Sequence, residues 1–229
     1  MRARRYSVIA ILLGVALAAA SGQTAHADQS ISAAENQLFL SNHLGNLPDS
    51  AVLTYAYAKG GTLEAAREDS VHVTISGANP GAGRQVRIDY LSGTQRFELP
   101  PMGVANGNPV ILFFLERDVR EMQRLTGGQA AYFRKRVRMA LADAAEIRPV
   151  TFEFSGHTLS GEQITVHPFR DDPLRKRFQR LAEKAYAFTL SDQVPGGIYR
   201  IETVIDTPDA PAGTPPLMSE TLTFVGAQP

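Results

Sequence analysis

Apolar and polar positions alternate with period two over several short stretches of the chain and with a period near 3.6 over two longer ones. Leu53, Tyr55 and Tyr57 alternate with Thr54 and Ala56, which predicts a strand; Val71, Val73 and Ile75 alternate with His72, Thr74 and Ser76 in a second. Over 84–99 a two-residue turn at Ser92-Gly93 predicts a hairpin. That turn sets Asp89 opposite Arg96, Arg87 opposite Glu98, Ile88 opposite Phe97 and Val86 opposite Leu99.

The helical period appears before the first strand and again through a central insert. Ala33 to Leu44 predicts a short amphipathic helix carrying Leu38, Phe39 and His43, stopped by Asn46, Pro48 and Asp49. In the insert, about 109–146, Asn108 caps, Pro109 takes the first helical position and Gly127-Gly128 ends the run. Ile111, Phe114, Leu115, Val119, Met122 and Leu125 recur between them, and Val110 to Leu115 is apolar on nearly every side, so that end is expected to be buried. A second helix follows from about Gln129 to Glu146, with Phe133, Val137, Ala140, Leu141 and Ala144 as its stripe and Pro149 beyond its end. The two-glycine connection makes the helices antiparallel neighbours.

Alternation then resumes. Phe152 and Phe154 oppose Glu153, Ser155 and His157, and a turn at Leu159-Ser160-Gly161 pairs Phe154 with Val166 and Glu153 with His167. Asp172-Pro173 opens a short helix with Leu174, Phe178 and Leu181. Tyr186, Phe188 and Leu190, then Tyr199 to Ile205, read as strands about a turn at Val194-Pro195-Gly196-Gly197; Thr207 to Pro216 reads as a mobile loop, and Thr221 to Val225 as a last strand. The order of elements predicts an α+β fold: a curved antiparallel β-sheet with an inserted antiparallel helical hairpin packed against it. Two separate domains are the alternative, because the insert divides the strand regions.

The N-terminus changes the setting of this domain. Arg2, Arg4 and Arg5 precede an apolar run from Val8 to Ala20, and Ala25-His26-Ala27 presents a cleavage pattern, so 1–27 is expected to be a signal peptide and 28–229 a single exported domain. The apolar run is short of the ~20 residues needed to span a bilayer, so no membrane span is expected after cleavage. The Arg4-Arg5 pair leaves the general secretory and twin-arginine routes both open. Of 23 basic residues the signal holds three and of 23 acidic ones none, which leaves 28–229 at about −3 and gives no reason to expect nucleic-acid or anionic-membrane binding as its main task. The absence of cysteine excludes disulfides, a lipid-anchored export signal, thiol nucleophiles and thiolate metal sites.

Candidate chemistry is sparse. No Gly-x-Ser-x-Gly, His-Glu-x-x-His or phosphate-cradling glycine loop occurs. His72, His157 and His167 fall on polar sides of strands, where with Glu153 they are either solvent-facing residues or ligands of a divalent metal; His43 stands apart from them. Asp118 lies inside the apolar stripe of the first insert helix, between Leu125 and Met122, where a carboxylate must be paired or neutral. Its expected partner is Arg134, Arg136 or Arg138 of the second helix; a functional acid in a cleft is the alternative. The basic run Tyr132 to Arg138 is either neutralised by Glu116, Asp118 and Glu121, with Glu121 near the level of Arg134, or open to an anionic ligand, a lipid head group or an acidic partner.

The block Gly107-Asn108-Pro109-Val110, Phe114 to Met122, Thr126-Gly127-Gly128 and Tyr132-Phe133-Arg134, with Val194-Pro195-Gly196-Gly197-Ile198-Tyr199, resembles an uncharacterised group of bacterial exported proteins. The order of elements is also similar to the periplasmic outer-membrane lipoprotein carriers, which fold a curved antiparallel sheet over helices and hold acyl chains in the hollow. The heavily apolar start of the first insert helix, with the absence of catalytic motifs, leads to the expectation of a non-enzymatic periplasmic or secreted protein binding a hydrophobic small molecule or lipid, or an envelope protein, between sheet and helices. No cofactor is expected, and Phe114, Asp118, Arg134 and Arg136 are the expected ligand-binding residues. The competing expectations are a hydrolase or metal-dependent enzyme using Asp118 or the strand histidines, and an envelope subunit that makes contact through 207–216.

Overall fold

The alternating stretches pair into one sheet in a computed structural model that describes residues 31–77, 85–99, 107–207, 209–211 and 213–229. The expected signal peptide at 1–27 lies outside the described residues, as do residue 84 of the predicted hairpin and residues 208 and 212 of the predicted loop. The strands are β1 (Ala51–Gly60), β2 (Arg67–Ser76), β3 (Gln85–Tyr90), β4 (Glu146–Phe154), β5 (His157–Val166), β6 (Ala185–Leu190), β7 (Ile198–Ile205) and β8 (Met218–Gln228). They stand in the order β3-β2-β1-β8-β7-β6-β5-β4, antiparallel at every step. The last strand, β8, joins the strands that precede the helical insert to those that follow it.

Hydrophobic alternation sets the register. Ala51, Leu53 and Tyr55 of β1 face Ile75, Val73 and Val71 of β2, and all six are at most 2 % exposed. A slip of one residue would turn all of them to the other face. The insert forms α2 (Val110–Thr126) and α3 (Ala130–Asp143). Gly127 ends α2 in the left-handed conformation (φ 68°) and donates its N–H to the Gln123 carbonyl at 2.9 Å, a cap that only glycine adopts without strain. Arg134 Nε donates to Glu116 Oε2 at 2.7 Å, so the two helices run antiparallel as the short connection requires. The fold is α+β, as the pattern predicts.

Several local expectations are overturned. The single helix expected over 33–44 is instead α1 (Ala33–Glu35), capped by Ser32, followed by a wide π turn at Asn36–Leu40 and a tight 3-10 turn at His43–Asn46. Ser41 between them is extended, which breaks the helix. The 84–99 hairpin does not form. Residues 85–90 pair with β2, where Ile88 meets Val73 and Val86 meets Ile75, while residues 93–95 make a 3-10 turn. Phe97 bridges to Tyr90 rather than Ile88, and Arg96 keeps only a 3.4 Å contact with Asp89. The open edge of β2 offers six partners, three of them apolar on apolar, against two apolar pairs in the local hairpin.

The turn predicted at 159–161 falls instead at Ser155-Gly156, both left-handed (φ 50° and 77°), so Phe154 meets His157 and Phe152 meets Leu159. Gly161 lies inside β5, paired with Val150, at a position that needs glycine because a Cβ there would sit 2.2 Å from the Leu190 carbonyl oxygen. Helix α3 ends at Asp143 and β4 begins at Glu146, with Pro149 inside the strand. β4 is an edge strand, so a residue without an N–H is tolerated there. At the base of the 207–216 loop, Thr207 Oγ1 donates to the Pro215 carbonyl at 3.0 Å and Thr62 N–H to that of Pro216 at 3.0 Å.

The sheet is strongly curved. Three strand spacings separate β4 from β7, about 14 Å in a flat sheet, and four separate it from β8, about 19 Å. Yet the rings of Phe152 and Tyr199 stack at 3.9 Å and those of Phe154 and Phe224 meet at 5.4 Å. The tip of the β4–β5 hairpin therefore reaches back to β7 and β8, where Tyr199 donates its hydroxyl to the Glu153 carbonyl at 3.1 Å.

Candidate functional site

The start of α2 is fixed by a chain of buried hydrogen bonds. Asn108 Oδ1 accepts the Val110 N–H at 3.2 Å, while its Nδ2 donates to the Tyr55 hydroxyl at 2.8 Å and the Gly196 carbonyl at 2.9 Å. Its N–H donates to His43 Nδ1 at 3.0 Å, which leaves Nε2 to donate to the Gln37 carbonyl at 2.7 Å. Both ring nitrogens are used and burial lowers the His43 pKa, so this imidazole is neutral and structural. Gly196 must be glycine: its φ is 78° and an added Cβ would stand 2.5 Å from Leu53 Cδ1.

Anchored there, α2 presents two faces. The first carries Ile111, Phe114, Asp118 and Met122, each at most 1 % exposed, against the sheet. Asp118 is buried as expected, but its partner is corrected. Lys184, just before β6, donates to one carboxylate oxygen and Tyr186 donates its hydroxyl to the other. The arginines of α3 point elsewhere: Arg134 to Glu116, Arg136 Nε to Asp172 Oδ2 at 2.7 Å. Glu121 is likewise not at Arg134; it accepts from Arg124 at 2.8 Å and Lys59 at 3.2 Å. Arg117 donates to Glu220 and lies 5.1 Å over the Tyr57 ring. Burial pushes the Glu220 carboxyl up, opposed by the Arg117 charge, and pushes the hydroxyls of Tyr57, Tyr90 and Tyr186 well up.

Among the described residues, the side chains of this face are packed out of solvent against the sheet. The cavity bounded by Lys59, Glu121, Lys184, Thr203, Met218 and Glu220 has only about 10 Å³, room for one water. The second face of α2, turned towards α1 and α3, is different. Leu112, Leu115 and Val119 line an open pocket of about 300 Å³ with Phe39, Val137 and Leu141. Glu35, Glu116, Arg134 and Arg138 complete its wall. Leu112 is 43 % exposed there, while Val119, Val137 and Leu141 below it are at most 5 % exposed.

Of the four expected ligand-binding residues, only Arg134 reaches this pocket. Phe114 and Asp118 lie on the sheet-facing side of α2, and Arg136 is turned to Asp172. His72 on β2 contacts Thr54 Oγ1 at 3.3 Å and Ser70 Oγ at 3.1 Å; His167 contacts Arg170 at 2.8 Å. Among the described residues no three His, Cys, Asp or Glu side chains gather as a metal site. Lys184 and Glu220 were missed by the sequence reading, although alternation carries their signal. Each stands two residues before a core position, Tyr186 and Leu222, and so faces inward.

Among the described residues no helix is long and apolar enough to cross a membrane. No family model matches the chain, and no curated protein matches it. Among solved structures it is similar to the lipoprotein LppX of Mycobacterium tuberculosis, at 12 % identity and a TM-score of 0.29 over 76 % of this chain and 84 % of that one. It is similar to LprF from Mycobacterium bovis, at 10 % identity and 0.31 over 85 % and 92 %. A LolA superfamily protein from Nitrosomonas europaea is similar at 12 % identity and 0.22 over 85 % and 92 %. Overlaps this loose carry no argument about a ligand.

Proposed function

We propose that the protein is an exported, non-enzymatic binding protein that holds a small hydrophobic ligand in the pocket between α1, α2 and α3. The observation that carries this reading is the pocket itself: about 300 Å³, apolar on its floor, with Leu112 left 43 % exposed at its edge. That volume is at the lower end of small-molecule sites, and each methylene buried there contributes ~0.8 kcal/mol. The ion pair of Glu116 with Arg134 borders the opening and gives it a polar rim. The catalytic alternatives gain no such support, because Asp118 is engaged by Lys184 and Tyr186.

An apolar fluorescent probe tests the reading. The purified protein should take it up with saturable enhancement, and Leu112→Glu should abolish uptake. Leu112 is exposed, so the variant should keep its melting temperature within a few degrees. Equal uptake by Leu112→Glu, or none by the parent protein, would refute the reading.

A further inference from the structure

The charge of this chain is unevenly placed, and the fold gathers the uneven part. Residues 130–143 hold four basic and one acidic residue, and residues 170–180 hold five basic and two acidic ones. Together they carry +6, although residues 28–229 as a whole carry about −3, so the rest stands at −9. The first segment is α3; the second leads into α4 (Arg175–Phe178) and the turn after it. Phe178 packs against Tyr132 and Phe133, at ring distances of 6.2 and 5.5 Å, and Asp172 binds Arg136 and accepts from the Tyr132 hydroxyl at 2.7 Å. The two segments are thus docked to each other.

Internal pairing uses only part of this charge. Arg134 is taken by Glu116, Arg136 by Asp172 and Arg175 by Glu183 at 2.8 Å. Lys135, Lys176, Arg177 and Arg180 are exposed and have no ion-pair partner among the described residues. Lys135 follows Tyr132 by three positions, so it shares the side of α3 on which α4 sits. Apolar surface lies among these cations. Leu174 is 37 % exposed and Met139 38 %, and a pocket of about 300 Å³ opens between the Gly127–Gln129 turn and α4, with Leu174, Phe178 and Arg177 in its wall.

We infer that this face docks on an anionic phospholipid surface. Cations held out on one side of an otherwise acidic body orient it towards negative headgroups, and exposed aliphatic side chains among them enter the interface. A free polyanion matches the charge but gives Leu174 and Met139 no role. The strength of such docking falls with salt, because the cations are solvent-exposed. Each cation near the surface is worth about a fivefold change in partitioning.

Co-sedimentation of the purified protein with vesicles of equimolar phosphatidylglycerol and phosphatidylcholine tests this. Binding should be absent on pure phosphatidylcholine and should fall steeply with added sodium chloride. Lys176→Glu with Arg177→Glu should weaken it at least ~25-fold, two cations at about fivefold each. Leu174→Ser should weaken it several-fold without changing the salt dependence. Arg87→Glu, an exposed cation on β3 at the opposite edge of the sheet from β4 and β5, should leave it unchanged, and melting curves of all variants should stay close to the parent. Equal loss in Arg87→Glu would show that only net charge matters. Tight binding to poly-glutamate without vesicle binding would point to an acidic partner. Either outcome, or binding insensitive to Lys176 and Arg177, overturns the inference.

Discussion

Asp118 of α2 and Lys184, just before β6, form an ion pair in which both residues are at most 6 % exposed, and the Tyr186 hydroxyl donates to the second carboxylate oxygen. With Arg117 and Glu220 beside it, this places a polar layer where helix and sheet meet. Such a layer fixes the seating of α2 more than it stabilises the fold, because desolvation offsets most of the attraction.

Removing one partner strands the other charge. Asp118→Ala and Lys184→Met alone should each cost ~3–5 kcal/mol in urea denaturation. Asp118→Leu combined with Lys184→Met should recover most of that loss, since no buried charge is then left unpaired. Single-variant costs below ~1 kcal/mol would show that the pair is not held out of water.

Acid should expose the outer part of the same network. The Arg124 hydrogen bond, with Lys59 adding to it and burial opposing both, holds the Glu121 carboxyl at about 2, against 4.5 ordinarily. A lowered carboxyl stabilises the fold fully above pH 4.5 and loses that contribution as pH falls through 4.5 towards 2. After allowance for solvent around a half-buried group, the contribution is ~1–2 kcal/mol. Stability measured against pH should show the parent above Glu121→Gln at neutral pH, with the two curves converging as pH approaches 2. Parallel curves over that range would contradict the assignment.

The β4–β5 tip is held to β7 and β8 by rings and one hydrogen bond. A double-mutant cycle on Phe152→Ala and Tyr199→Ala should give a coupling of ~0.5–1.5 kcal/mol. Amides of residues 152–159 should exchange faster in Tyr199→Ala while those of β1 and β8 keep their protection. Gly161→Ala should cost ~1–3 kcal/mol, since the new methyl must be accommodated against the Leu190 carbonyl.

Much of the fold is legible locally because alternation and caps are local. The strands containing Leu53, Val71, Tyr186 and Ile201 and the helices around Gly127 all follow from residues within a few positions of one another. The misplaced turn shows where this ends. Ser155-Gly156 and Leu159-Ser160-Gly161 both carry turn residues, and only the approach of β6, with the Leu190 carbonyl against Gly161, assigns one to the turn and the other to the strand. The 84–99 segment pairs well with itself on paper, and loses that pairing because the edge of β2 is available to it.

By itself, then, the sequence determined which residues avoid water: the alternating stripes, the two helices of the insert, the burial of Asp118 and the absence of any cysteine chemistry. Only the tertiary structure decided what meets what. Lys184, 66 residues from Asp118, became its partner, and Phe39, Leu112 and Val137 came to share one pocket. Periodicity along a chain reports the environment a side chain prefers, whereas a partner is chosen by the path of every strand and helix between them.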